Sequence, residues 1–127
     1  MADSLFTRII RGEISCYKIY EDELTFAFLD INPKTPGHTL IVSKKQVDEF
    51  QDLPHEDYIA LMQAVKKIAL RQKEVLGAKR IGLQVIGVDV PHAHVHVFPF
   101  SSAEEYRQPP KAAPDEELAA LAKKLAF

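Results

Sequence analysis

The apolar positions of this chain follow two periods, and each marks a different element. Tyr58, Leu61, Met62, Val65, Ile68, Ala69, Val75 and Leu76 recur at intervals of three and four. Lys66, Lys67, Arg71, Lys73 and Glu74 take the other faces. This pattern predicts an amphipathic helix of about twenty residues, entered at Pro54, whose missing N–H does no harm there, and stopped at Gly77. The second period is strict alternation. In His92-Ala93-His94-Val95-His96-Val97-Phe98 the imidazoles fall at i, i+2 and i+4, with small or branched residues between them. On a strand, that spacing puts three imidazoles on one side and packs Ala93, Val95 and Val97 onto a core. On a helix they would spread around the cylinder, and the valines favour strand in any case. Pro91 and Pro99 bracket the run.

The remaining elements follow from the same signals. Ser4–Gly12 reads as a short helix, capped by Asp3 or Ser4, with Leu5, Phe6, Ile9 and Ile10 on one face. Tyr17–Tyr20 and Leu24–Leu29 read as a strand pair joined by Glu21-Asp22-Glu23. Asp30–Gly37 is dense in turn residues and reads as a loop stiffened by Pro33 and Pro36. His38–Ser43 is a third strand, and Lys44–Asp52 is irregular with room for one helical turn. Ile81–Gly87 is a fourth strand whose two glycines imply close backbone approach or a bulge. Val88-Asp89 turns the chain into the histidine strand, and Ser101–Pro114 is polar and rich in proline. Asp115–Lys124 is an amphipathic helix with acids in its first turn and lysines in its last. One long helix set against mostly antiparallel strands argues an α+β domain spanning residues 1–127.

Composition narrows the function. Sixteen basic against eighteen acidic residues give a net charge of −2, which removes the electrostatic argument for a duplex nucleic-acid binder. No apolar run reaches membrane-spanning length, and Met1-Ala2-Asp3-Ser4 opens an acidic, not a signal-like, segment. A lone cysteine, Cys16, has no internal disulfide partner and reads as a packing residue. The expectation is a cytoplasmic protein with no membrane partner.

Two chemistries fit the histidines. Alternating imidazoles can present two ligands to zinc. However, i and i+4 side chains on a strand stand about 13 Å apart at Cα, so a metal site would need His38 or an acid as third ligand. Alternatively, one imidazole is a nucleophile toward phosphorus and its neighbours position it and donate hydrogen bonds to phosphoryl oxygens or the leaving group. His94, with a neighbour on each side, is then the nucleophile.

His92-Ala93-His94-Val95-His96-Val97-Phe98 resembles the alternating signature of the histidine triad (HIT) family of nucleotide hydrolases and transferases. Leu5-Phe6 with Ile9-Ile10 and Gly12-Glu13-Ile14 resembles its opening helix. Phe28–Pro33 and Pro36–Val42 resemble its nucleoside-binding strand, loop and strand. The resemblance implies a HIT-like fold with a five-stranded sheet, one long helix and short terminal helices. It implies in-line attack by His94 on the α-phosphorus, a nucleotidyl-histidine intermediate, and a bond from the other ring nitrogen of His94 to the His92 carbonyl. His92 and His96 would bracket the phosphate, and His38 would support the triad. Asp30 would hold the ribose hydroxyls, and Phe28, Ile31 and Leu40 would wall the base. A purine nucleoside 5′-phosphoramidate is the expected substrate, with a dinucleoside polyphosphate or a binding role of little turnover as alternatives. No cofactor or metal is expected. A homodimer is, with the long helix and fourth strand meeting their copies.

Three departures from the family pattern stand out. The family's Asn-x-Gly and Ala-Gly-Gln-like elements before the triad are missing, because the link from Gln84 to His92 is short. Asp89 falls where a hydroxyl or amide would face phosphate, so Asp89 and Gln84 become candidate nucleotide-facing residues. A carboxylate cannot donate, so Asp89 is expected either to address a histidine (His92, His96 or His38) or a water, or to be a solvated turn residue with no role. Ser4 and Thr7 stand where some bacterial members carry a zinc-binding cysteine pair, and Phe100 stands where arginine is common.

Overall fold

The structure is a computed structural model that describes residues 2–127. In chain order it contains α1 (Leu5–Ile10), β1 (Lys18–Glu21), β2 (Thr25–Leu29), β3 (Thr39–Ser43), a 3₁₀ turn (Phe50–Asp52), α2 (His55–Leu76), β4 (Arg80–Gln84), β5 (His94–Phe100), α3 (Ala103–Arg107) and α4 (Asp115–Leu125). The strands form one five-stranded sheet in the order β1-β2-β3-β5-β4, and every pairing is antiparallel. The α+β, HIT-like architecture is therefore present. Among the described residues, no helix is long and apolar enough to cross a membrane.

Side-chain alternation sorts the sheet into two faces with different work. One face carries Ala27, Ile41, Val95 and Val97, and α2 lays Leu61, Ala64, Val65 and Ile68 onto it. Each of the buried Leu, Ile and Val side chains there contributes ~1.5–3 kcal/mol through removal from water. α2 is fixed at its ends as its sequence dictates. Pro54 precedes it, Glu56 and Asp57 sit in its first turn, and Gly77 closes it at φ +67 with its N–H on the Lys73 carbonyl. The opposite face carries Phe26, Phe28, Leu40 and Val42, covered by Phe6 and Ile9 of α1. This second face also receives the histidines. β5 lies between β3 and β4, with His96 opposite both Leu40 and Gln84, and His94 opposite Val42.

Two expectations are corrected in detail. The fourth strand ends at Gln84, not Gly87; Val85 and Ile86 are exposed, and Gly87 turns at φ +71. The alternation of Leu83-Gln84-Val85-Ile86 breaks where two branched residues follow one another, and pairing with β5 stops at Gln84 opposite His96 although β5 begins at His94. The proline-rich segment also contains α3, which begins where the Ser102 hydroxyl accepts from the Glu105 N–H. Its Tyr106 stacks on Phe98 at 6.0 Å.

Gly82 is the close approach that the strand glycines implied. A Cβ there would lie 2.6 Å from Cζ of Phe98, a ring buried between His38 and Tyr106. Gly82→Ala should therefore destabilise the fold by ~1–3 kcal/mol through overpacking. Urea denaturation measures this, and an unchanged midpoint would show that the Phe98 ring moves freely.

Candidate active site

A cleft of about 760 Å³ opens on the histidine face of the sheet. Its apolar part is formed by Phe6, Phe28, Ile31 and Leu40, and its polar part by Asp30, Lys34, His38, Gln84, Asp89, His94 and His96. Every candidate residue from the sequence lines this space except His92. That ring lies on the same side of the sheet, edge-on to Phe6 at 5.7 Å, but it is fully buried beneath α1 just ahead of β5.

Hydrogen-bond partners assign the proton on each ring, because a carbonyl only accepts and an amide N–H only donates. His94 Nδ1 lies 2.7 Å from the His92 carbonyl, so Nδ1 carries the proton and Nε2 holds the free lone pair. The Phe6 ring meets His94 edge-on at 4.9 Å and fixes its plane. His38 Nδ1 accepts the Lys34 N–H at 2.9 Å, so its proton sits on Nε2. That nitrogen lies 3.0 Å from Nδ1 of His96 and donates to it, which leaves the His96 proton on Nε2. His92 Nε2 donates to the Ser43 carbonyl at 2.6 Å, and Ser4 Oγ stands 2.6 Å from its Nδ1.

Burial keeps three of these rings, His38, His92 and His96, neutral. It pushes His38 down to about 3, helped by His96 and Lys34, and His96 down to about 4, helped by His94. The Asp89 carboxylate, on the same cleft, opposes the fall at His96. His92 is lowered too, by burial first. Asp30 is raised by burial, against the Asn32 N–H at 2.8 Å and the attraction of His94.

Asp30, His38 and His96 bring three potential metal-ligating atoms within 4.8 Å of one another. This is the third-ligand arrangement that a metal reading of the triad requires. The proton assignment argues against it. With its Nδ1 occupied by a backbone N–H, His38 would have to become an imidazolate to offer Nε2 to an ion. The Asp30 to His38 contact, at 3.7 Å, is instead a weak electrostatic one to a neutral ring.

Several supports gave no sequence signal. The Lys34 contribution is a main-chain amide, and the Ser43 contribution is a carbonyl. Gln46, in the irregular stretch after β3, accepts from Ser4 N at 2.8 Å and Thr7 Oγ1 at 2.6 Å. Gln72 of α2 is fully buried and donates to Gly37 O, Thr39 Oγ1 and Val97 O, tying the long helix to the strands that carry His38 and His96. Ser4 did give a signal, as a helix cap, and it caps α1 by accepting from Thr7 N at 3.0 Å.

A sequence model described as the HIT domain matches residues 11–103. The chain is 39% identical over 105 residues to an uncharacterized HIT-like protein of Methanocaldococcus jannaschii, covering 75% of this chain and 77% of that one. It is 32% identical over 102 residues to adenylylsulfatase HINT3 of Arabidopsis thaliana, covering 76% of this chain and 52% of that protein. Among solved structures it superposes with a TM-score of 0.86 on a HIT-like protein involved in cell-cycle regulation from Bartonella henselae. That pair is 32% identical, with 97% of this chain and 94% of that one covered.

The neutral rings have a thermodynamic consequence. The fold holds His38 and His96 unprotonated, whereas the unfolded chain takes up protons below about 6.5. The unfolded state therefore binds more protons between about 6.5 and the folded values. Stability is full above that window and falls as pH drops through it. The melting temperature should be lower at pH 5 than at pH 7. His38→Asn, whose carbonyl can still accept the Lys34 N–H, should reduce the difference. Differential scanning calorimetry at the two pH values is the check.

Proposed function

The chain belongs to the HIT family of nucleotide-binding hydrolases and transferases, and on that premise we propose that it is a purine nucleoside 5′-phosphoramidase working through a nucleotidyl-His94 intermediate. The observation that carries this reading is the bond from His94 Nδ1–H to the His92 carbonyl, which leaves the Nε2 lone pair unshared on a residue lining the cleft. A neutral imidazole of that tautomer attacks the α-phosphorus in line. The bond from phosphorus to the leaving nitrogen breaks, and that nitrogen departs as the amine on protonation. His96 offers its Nε2–H to the leaving nitrogen, with His38 holding the tautomer from behind. Water then displaces His94 and releases the nucleoside monophosphate. Phe28, Ile31 and Leu40 supply an apolar wall for the base. Asp30 Oδ1 is taken by the Asn32 N–H, and its second oxygen accepts from the ribose hydroxyls.

Charge ranks the leaving groups. Among the residues lining the cleft, Lys34 is the one cation, and Asp30 and Asp89 are the carboxylates. Lys34 is also partly engaged, with its ammonium 5.0 Å from the Tyr106 ring. A singly charged phosphoramidate meets less repulsion in such a cleft than a polyphosphate chain does. Dinucleoside polyphosphate hydrolysis is therefore the second reading. The name of the Arabidopsis relative adds adenylyl sulfate as a further substrate to assay.

Cytoplasmic residence, with the lone Cys16 reduced, belongs to the same proposal, as does a homodimer. β4 is an edge strand, and Leu83, Val85, Ile86 and Val88 on and after it are exposed, as are Ile59 and Leu70 of α2. A second copy would cover this apolar edge. Val65 and Ile68, by contrast, are buried within one copy against the sheet. Sedimentation velocity should give a dimer, and Leu83→Lys with Ile86→Lys should shift it toward monomer. A wild-type monomer at every concentration would refute the assembly.

The functional reading is tested by steady-state hydrolysis of adenosine 5′-phosphoramidate beside diadenosine tetraphosphate and adenylyl sulfate. The phosphoramidate should have the highest kcat/KM. His94→Ala should lose nearly all turnover while still binding nucleoside monophosphate, and His96→Ala should lose ~10²–10⁴-fold. Nucleotide binding without turnover of any substrate would make the protein a binding module.

A further inference from the structure

His92 contributes no atom to the cleft, yet its surroundings are the most completely hydrogen-bonded polar cluster on this face of the sheet. Ser4 and Thr7 come from the start of α1, Ser43 and Gln46 from the end of β3 and just beyond, and His92 from the approach to β5. Ser4 and Ser43 are buried, and His92 is fully so. Proton donors and acceptors can be traced without conflict. Gln46 Nε2 donates to Ala2 O at 2.9 Å, so its Oε1 faces inward and accepts from Ser4 N at 2.8 Å and Thr7 Oγ1 at 2.6 Å. With its proton on Gln46, the Thr7 hydroxyl competes weakly for the Ser4 proton, at 3.2 Å. The Ser4 proton therefore goes to His92 Nδ1, at 2.6 Å. His92 Nε2–H goes to Ser43 O at 2.6 Å. The main chain beside the ring is pinned as well, by Ala93 N on Val47 O at 2.7 Å.

We propose that Ser4 is a positioning residue for the nucleophile: its hydroxyl locks the His92 ring between α1 and β3, so that the His92 carbonyl is held where it takes the Nδ1 proton of His94. This rests on the reading of His94 as nucleophile given above. α1 thereby acts on the site twice. Ser4 fixes the carbonyl that sets the His94 tautomer, and Phe6 fixes the plane of the His94 ring at 4.9 Å. Loss of the Ser4 donor leaves His92 Nδ1 with only the Thr7 hydroxyl nearby, at 3.4 Å and with its proton already on Gln46. The ring then turns or admits water, and the carbonyl moves with it.

The same hydroxyl also caps α1, so the variants must separate the cap from the donor. Ser4→Ala removes both. Ser4→Gly leaves a residue that N-cap positions accept at little cost but removes the hydroxyl that donates to His92. Ser4→Thr keeps both. Steady-state kinetics with adenosine 5′-phosphoramidate should show kcat reduced ~10–100-fold in Ser4→Ala and Ser4→Gly, with KM within about twofold, and kcat restored in Ser4→Thr. Melting curves should show Ser4→Gly above Ser4→Ala, so that a kcat loss shared by both does not follow stability. Independently of turnover, the His94 Nδ1 proton should exchange with water faster in Ser4→Ala than in the parent, as read by NMR. Unchanged kcat and unchanged exchange in Ser4→Ala would overturn the proposal. Retained turnover in His94→Ala, run in parallel, would instead overturn the nucleophile reading, and the exchange rate would then decide Ser4 alone.

Discussion

His38, His92 and His94 each have one ring nitrogen committed to a main-chain group of fixed polarity, His96 takes its tautomer from His38, and the rest of the chemistry depends on that constraint. The His92 and Ser43 carbonyls can only accept, and the Lys34 amide can only donate. Together they place a proton on Nδ1 of His94 and on Nε2 of His38, His96 and His92. A free imidazole interconverts its tautomers readily. Here His38, His94 and His96 arrive at the cleft with their lone pair or N–H already directed. Burial reinforces the assignment by disfavouring the cations, most strongly at His38 and His96. One lone pair and one N–H two positions apart on a single strand, and so on one face, are what a displacement at phosphorus requires.

The fold is arranged to make those commitments. Antiparallel pairing of β3 with β5 sets Leu40 opposite His96 and Val42 opposite His94, so the rings rise beside buried apolar neighbours on a central strand. The strand's other face is held by α2, and Gln72 ties that helix to both strands from beneath. Gly82 lets Phe98 lie flat across β4, and Phe98 in turn backs His38 at 5.6 Å. α1, only six residues long, reaches the site from the other side. The cleft thus lies between a rigid sheet and a short helix whose stability comes from packing, not from its length.

The sequence revealed the architecture and the identity of the site more fully than it revealed the site's wiring. Strict alternation from His92 to Phe98 gave strand and face together, and the three-and-four spacing from Tyr58 to Leu76 gave the long helix and its buried stripe. Asp30, His38, Gln84 and Asp89 converge on one cleft from four separate segments, a convergence that came from family resemblance and not from spacing. The supports of the rings were not legible. Main-chain groups carry no residue-type signal, so Lys34 N–H and Ser43 C=O could have been attached to any side chain. Gln46 sits in a polar stretch without periodicity. His92 belongs to the alternation but not to the cleft. Pattern reports the side of a sheet, whereas cover by α1 is a tertiary fact. The overlong fourth strand and the missed α3 are local errors of the same kind, made where pairing partners and aromatic stacking decide.

The central claim is that the fold fixes the tautomers. Two-dimensional ¹H–¹⁵N correlation of the histidine side chains at pH 7, assigned through single substitutions, reads this directly because protonated and unprotonated ring nitrogens have well-separated shifts. The account predicts neutral rings for His38, His92 and His96, each protonated at Nε2, and His94 carrying its proton at Nδ1. A spectrum showing His94 protonated at Nε2, or His96 as a cation at that pH, would contradict it.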